Sequence, residues 1–271
     1  MFFKDNLYFL SNMYPCSVTA TYSGTRLTFS CVESAFQACK CITRAHEFTT
    51  LDGYQAKKLG RQVLLRSDWD TIRIAIMELL VRAKFEQNPI LIKDLIRING
   101  DIIEENTWND TFWGVCNGVG ENHLGEILTK LRDEYRSNSF VLLIAGSRTF
   151  NDYDKLCEIT DKLLVNHYGK HIIIVSGGAK GADTLAERYA DKHGYIKHIM
   201  PADWNRYGKG AGYRRNEEMH KYIAIPSVKR GCLCFWDTKS TGTSHNFELA
   251  KKYSNPLRIY DFVHDCFMSY A

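Results

Sequence analysis

The stretch Arg136-Ser-Asn-Ser-Phe140-Val-Leu-Leu-Ile-Ala-Gly146-Ser-Arg148 decides how this chain folds. A polar break gives way to a short apolar run that ends in a glycine turn. Such a run, bounded by turn residues, fits a strand buried on both faces, as in a parallel sheet. The theme returns at His171-Ile-Ile-Ile-Val175 before Ser176-Gly-Gly178, and a helical pattern follows each run, over 153–167 and 182–193. Further strands are expected over 196–200, 231–236 and 256–260. Strands alternating with helices predict an α/β, Rossmann-like C-terminal domain over residues 139–271.

Upstream the pattern differs. Residues 71–85 keep apolar side chains at helical spacing and stop before Asn88-Pro89. Shorter helices are expected over 90–98 and 124–135. Short strands are expected over 17–22 and 26–29, with a Ser-Gly turn between them. The N-terminal domain, residues 1–138, therefore reads as mainly α, an α+β arrangement with few strands.

Length, composition and charge bound the rest. A chain of 271 residues has room for two domains. Hydrophobic content of 45% with 24% charged residues belongs to a folded, soluble protein and excludes disorder. No apolar run reaches the length of a membrane span, and a basic-then-apolar leader is absent, so a cytoplasmic protein without a membrane partner is expected. Nine scattered cysteines read as reduced thiols. Cys39-Lys-Cys41 and Cys232-Leu-Cys234 lack zinc-knuckle spacing, the latter suiting a buried strand, so neither a metal nor a cofactor is expected. Residues 1–139 hold 16 Lys and Arg against 17 Asp and Glu, and residues 140–271 hold 19 against 14. A near-neutral first half is not the footprint of a tight duplex binder, though weaker nucleic-acid contact is compatible with it.

Within the first half, Ser30-Cys-Val-Glu33-Ser-Ala-Phe-Gln-Ala-Cys-Lys40 stands out. Glu33 and Lys40, seven residues apart in a helical stretch, would share a face two turns apart. A carboxylate and an amine beside Phe36 and Gln37 suit chemistry at a sugar's anomeric carbon. The same residues also fit a plain reading, in which Ser30 and Glu33 form a capping box and Lys40 is solvated.

Several spaced features of this half together resemble the NADAR family: Phe9-Leu-Ser-Asn-Met-Tyr-Pro15, Val32-Glu33 through Gln37-Ala38 to Lys40, then Trp69, Arg73, Met77 and Lys84-Phe85. Asp110-Thr-Phe-Trp113-Gly114 and Gly118-Val-Gly120-Glu-Asn122-His-Leu-Gly125 complete the set over roughly residues 7–135. The resemblance implies an N-glycosidase cleaving a bond between ribose C1 and nitrogen. Its substrate would be ADP-ribose on guanine, in DNA or a nucleotide, giving a DNA-repair or anti-defence role. The alternative is a ribosylamino intermediate of riboflavin synthesis. By resemblance Glu33 is the general acid/base, with a pKa raised by an apolar wall such as Trp69. Lys40 holds oxygens or forms a Schiff base, and Asp110 is the second carboxylate. Ser11, Asn12, Trp69, Trp113, Gly114 and Asn122 would bind substrate. Met13 stands where an aromatic is common, Ser34 where histidine often follows the glutamate, and Val115-Cys116 interrupts a loop usually richer in glycine and aspartate. These departures bear on substrate choice.

In the second half, Ser176-Gly-Gly-Ala-Lys-Gly-Ala-Asp183 follows a strand and opens a helix, a place where backbone N–H groups meet anions. With Gly146-Ser-Arg-Thr-Phe150, Pro201-Ala-Asp-Trp204, Tyr207-Gly208, Ala211-Gly-Tyr-Arg-Arg-Asn216 and Ser240-Thr-Gly-Thr243, it resembles the YspA-like branch of the SLOG superfamily over roughly residues 140–261. That implies a site for ADP-ribose or an NAD-derived nucleotide. Gly146, Ser147 and Arg148 would contact phosphate, Gly177, Gly178, Gly181 and Thr243 would close the cradle, and Asp183 and Glu187 would orient ribose or act catalytically. The Pro-Gly-Gly-x-Gly-Thr motif of phosphoribohydrolase relatives is absent, which favours binding over catalysis. A non-catalytic sensor or sponge of nucleotide signals, and a homo-oligomer, are the remaining expectations.

Overall fold

The structure, a computed structural model, describes residues 1–269. It divides into two compact units, Met1–Glu134 and a second beginning at Tyr135.

In the first unit a 3-10 turn (Asp5–Leu10) precedes the hairpin of β1 (Val18–Tyr22) and β2 (Thr25–Phe29), which pair antiparallel from Val18 opposite Phe29. Ser23 and Gly24 both take positive φ, as a two-residue hairpin turn requires. Helix α1 (Val32–Ala38) is buried along its whole length, and α2 (Gly53–Leu59) is started by a capping box between Asp52 and Gln55. The long α3 (Trp69–Gln87) covers the expected 71–85 and stops at Asn88-Pro89, where proline cannot continue the hydrogen-bond ladder. The helix expected over 90–98 is instead a 3-10 turn at Pro89–Leu91 and one turn, α4 (Ile92–Leu95). There the chain tightens, since Ile98 N–H bonds Leu95 O, three residues back. A two-residue parallel pair, β3 (Glu105–Asn106) with β4 (Val115–Cys116), was outside the expected strands. Helix α5 (His123–Ser137) follows.

The second unit is built on a six-stranded sheet. Its strands are β5 (Ser139–Gly146), β6 (His171–Ser176), β7 (Ile196–Ile199), β8 (Lys229–Trp236), β9 (Leu257–Asp261) and β10 (Cys266–Met268), in the order β10-β9-β8-β5-β6-β7. All neighbours run parallel except β10, which pairs antiparallel with β9 at the edge. Helices α6 (Tyr153–Leu164) and α7 (Ala182–His193) follow β5 and β6. Helix α6 ends earlier than the expected 167, giving way to a 3-10 turn at Val165–His167. The short α8 (Trp204–Tyr207), α9 (Ala211–Ile223), α10 (Thr241–Lys252) and β10 were not among the expected elements. Leu142, Ile144, Ile174, Leu233 and Phe235 pack with Leu156, Ala186 and Tyr189 into one core. Each leucine, isoleucine and phenylalanine among them contributes roughly 1.5–3 kcal/mol by leaving water. Cys232 and Cys234 lie within this sheet, buried and reduced, 3.7 Å apart.

Because β5 has β6 on one side and β8 on the other, the chain leaves adjacent strand ends in opposite directions. That opens a crevice beyond the carboxyl ends of β5 and β8. Among the described residues no helix is long and apolar enough to cross a membrane.

Candidate functional site

Two local facts set the first site. Helix α1 ends at Ala38, with Cys39 as its last cap, so Lys40 lies in the turn beyond it. The shared helical face expected for Glu33 and Lys40 is therefore corrected: the helix is too short to carry both. The cap is also corrected. Cys31 Sγ accepts the Ser34 N–H and Ser34 Oγ accepts the Cys31 N–H, while Ser30 Oγ donates to Leu51 O at 2.6 Å. Glu33 is thus not spent on the helix start.

Its carboxyl instead accepts a hydrogen bond from Gln37 Nε2 at 2.8 Å, one turn along. The Glu33 N–H donates to Asn12 O at 2.9 Å, tying α1 to the segment before it. Glu33 is 7% exposed. Burial pushes its pKa up; the Gln37 bond, Lys57 and Lys40 oppose this, and Asp110 adds to it. Lys40 is held below its usual range by burial, against the pull of Glu33 and with further push from Lys57 and Arg61. Its ammonium lies 5.7 Å from the Trp69 ring centre.

A third carboxylate joins them that the motif reading missed. Burial pushes Glu104 up to about 7, with Asp110 and Glu33 adding and Lys57 opposing. A signal was present in the alternation of Ile102, Glu104 and Asn106 with exposed Ile103 and Glu105, which turns Glu104 inward. Asp110 closes the same loop. Its N–H donates to Asn106 Oδ1 and its own Oδ1 accepts the N–H groups of Trp113 and Phe112, at 2.9 and 3.2 Å. Phe36 packs between Trp69 and Trp113, with ring centres 5.0 and 5.4 Å away.

The other expected substrate contacts are engaged by the protein itself. Both ends of the Asn122 amide hold backbone, Oδ1 accepting the Glu104 N–H and Nδ2 donating to Ile102 O, each at 3.0 Å. Gly114 lies so close to the Glu104 carbonyl that a Cβ would strike it. Ser11 Oγ accepts the Met13 N–H, and Ser11 O accepts from Lys84 Nζ at 2.9 Å. Lys84 is 1% exposed and pushed down to about 8 by burial. Asn12 Nδ2 donates to Met77 Sδ, leaving its buried Oδ1 without a partner among the described residues. Electrostatic contact therefore links Glu33, Lys40, Asp110 and Glu104, with Lys57 beside them.

The second unit has a cavity of about 410 Å³ at the crevice beyond β5 and β8. Of the expected residues, Gly146, Arg148, Asp183 and Thr243 line it, joined by Arg215 and Tyr213 from α9. Ser147 and the glycines act behind this surface. Ser147 donates its N–H to Phe235 O at 2.8 Å and accepts the Asp237 N–H at 3.2 Å. Gly181, at φ +85°, packs on the Ser147 carbonyl, and a Cβ at Gly177 would strike the Arg215 guanidinium. Gly178, at φ +68°, donates its N–H to Ser176 Oγ, whose hydroxyl donates to Glu187 Oε1 at 2.8 Å. Asp183 accepts from Arg215 Nη1 at 3.3 Å, yet burial pushes it up to about 6. Arg215 lies within the Ala211–Asn216 motif but outside the residues that the resemblance implies as phosphate contacts. No group of three or more His, Cys, Asp or Glu with the placement of a metal site occurs among the described residues.

Residues 1–136 match the NADAR domain and residues 140–207 match the YspA, cpYpsA-related SLOG family, in the order the motifs anticipate. The chain is 37% identical over 141 residues to a riboflavin biosynthesis protein of Vibrio vulnificus, covering 50% of this chain and 37% of that one. It is 34% identical over 125 residues to the Gene 61 protein of a Mycobacterium phage, covering 43% of this chain and 92% of that one. It is 38% identical over 82 residues to the N-glycosidase YbiA of Shigella boydii, covering 29% of this chain and 51% of that one. The match thus spans about a third of the Vibrio protein, half of the Shigella protein and nearly all of the phage protein.

Proposed function

Because the chain belongs to the NADAR domain family, we propose that residues 1–138 form an N-glycosidase and residues 139–271 a Rossmann-like nucleotide-binding domain. The observation that carries the first part is the meeting of three carboxyls, Glu33, Glu104 and Asp110, two of them raised by burial, with the depressed amine of Lys40. A carboxyl raised by burial holds its proton to higher pH than a free one, and a depressed amine is more often a free nucleophile.

In this reading Glu33 gives its proton to the departing nitrogen as the C1–N bond breaks and the bonding pair goes to nitrogen. Asp110 stabilises the positive charge that develops on the ribose ring. The Lys40 amine attacks C1. The bond from C1 to the ring oxygen then breaks, its electron pair and a proton from the amine going to that oxygen, and water hydrolyses the resulting Schiff base to free the amine. Glu33, left ionised by the first step, accepts the proton from that water and returns to its starting state, with Glu104 beside it. Trp69 and Trp113 wall the site.

The substrate proposed is ADP-ribose linked to guanine, with the crevice of the second unit holding ADP-ribose or an NAD-derived nucleotide. Its two arginines, Arg148 and Arg215, suit phosphate oxygens. A second reading, a ribosylamino intermediate of riboflavin synthesis, draws on the name of the Vibrio relative. The test offers the purified protein both an ADP-ribosylated guanine oligonucleotide and a ribosylamino-pyrimidine phosphate. Preferential release of ADP-ribose supports the first; preferential cleavage of the pyrimidine compound replaces it with the second.

A further inference from the structure

Helix α2 lies against α1 along a face defined by two glycines. A Cβ at Gly53 would meet Glu33 Cβ at 3.4 Å, and one at Gly60, seven residues on, would strike Gln37 Oε1. Seven residues make two helical turns, so one edge of α2 follows the Glu33–Gln37 edge of α1. Lys57 stands four residues after Gly53 and three before Gly60, on that same edge. Arg61 follows Gly60 directly, at the Gln37 end, and three residues beyond Gln37 is Lys40.

The charges agree with this placement. Lys57 acts on Glu33, Glu104 and Lys40, and both Lys57 and Arg61 push Lys40 down. None of the three cations makes an ion pair or side-chain hydrogen bond among the described residues. Arg44, Arg66 and Lys155 elsewhere in the chain do find carboxylates. Gln37, 4% exposed, leaves Oε1 without a hydrogen-bond partner at the Gly60 end of this edge. Cations that act on one another without carboxylate partners repel, an arrangement that an anion relieves.

We propose that Lys57 and Arg61 form a phosphate-binding subsite beside Lys40, Glu33 and Glu104, which anchors a phosphate esterified to the ribose whose C1 is attacked. This rests on the glycosidase reading for its purpose, although the anion site stands without it. The phosphate belongs either to a monoester, as in a ribosylamino phosphate, or to a diphosphate, as in ADP-ribose. A ribosyl substrate without phosphate would lose this anchor.

Hydrogen–deuterium exchange of the intact chain, read peptide by peptide, separates this site from the arginines of the second unit. Inorganic pyrophosphate is expected to slow exchange across residues 53–62 and 38–42 by roughly fivefold. The double variant Lys57→Gln/Arg61→Gln should lose that protection and need roughly tenfold more pyrophosphate to recover it. The neighbouring Lys58→Gln should keep it. Unaltered protection in the double variant, equal loss in Lys58→Gln, or protection confined to the second unit would overturn the proposal. Repeating the titration with ribose 5-phosphate and ADP-ribose identifies the monoester or the diphosphate as the tighter ligand. If these peptides are protected while no ribosyl substrate is cleaved, the glycosidase reading fails and the subsite remains.

Discussion

Gln37 Nε2 donates to Glu33 Oε1 at 2.8 Å, one turn apart on a helix of seven residues. The bond fixes the one carboxyl of α1, and it does so because Gly60 leaves Gln37 room. A methyl at Gly60 must displace the Gln37 amide. Gly60→Ala is therefore expected to cost about 1–3 kcal/mol of stability through overpacking. It should also lower turnover at temperatures where the variant stays folded. Thermal melting paired with a rate assay checks both, and full activity would mean that the Gln37 contact does not matter.

Glu104 sets a pH dependence. Its folded pKa is about 7 against an ordinary 4.5, with burial the largest cause. A raised carboxyl binds more protons in the folded chain, so its contribution is present below its unfolded pKa and is lost as pH rises through about 7. Between about pH 5 and pH 8 the melting temperature of wild type should fall more steeply than that of Glu104→Gln. Parallel slopes in the two melting series would contradict this.

In the second unit, Asp183 and Arg215 form a buried pair, their side chains 3% and 13% exposed. Removing one member strands the other. Arg215→Ala should destabilise this unit by about 3 kcal/mol or more. Without the guanidinium Asp183 should titrate higher still, and nucleotide affinity in the crevice should fall. Calorimetry with ADP-ribose, beside a denaturant melt, reads both effects. A variant as stable and as tightly binding as wild type would remove the pair from the account.

The parallel strands of the second unit were legible because each is an unbroken apolar run, and a run buried on both faces carries no competing pattern. Helices α9 and α10 were not anticipated, their turns being rich in the glycine, serine and threonine that read as loop. Residues of this kind end up around the crevice, where Gly212, Thr241, Gly242 and Thr243 line the cavity. In the first unit Glu33, Lys40 and Asp110 are named by the sequence motifs, but their arrangement and the presence of Glu104 are not. Spacing placed Lys40 on the same helix, whereas α1 ends two residues earlier. Glu104 sits 71 residues from Glu33 in sequence, and only the tertiary fold brings the two charges within electrostatic reach. Asn122 was read as a substrate contact, yet its amide serves the backbone of that loop.

The proposed N-glycosidase reaction turns on Glu33 as its proton donor. An ADP-ribosylated guanine oligonucleotide is incubated with wild type and with folded Glu33→Gln, and the products are weighed by mass spectrometry. The account predicts free ADP-ribose and an unmodified oligonucleotide with wild type, and intact substrate with Glu33→Gln. Release by Glu33→Gln at the wild-type rate would contradict it.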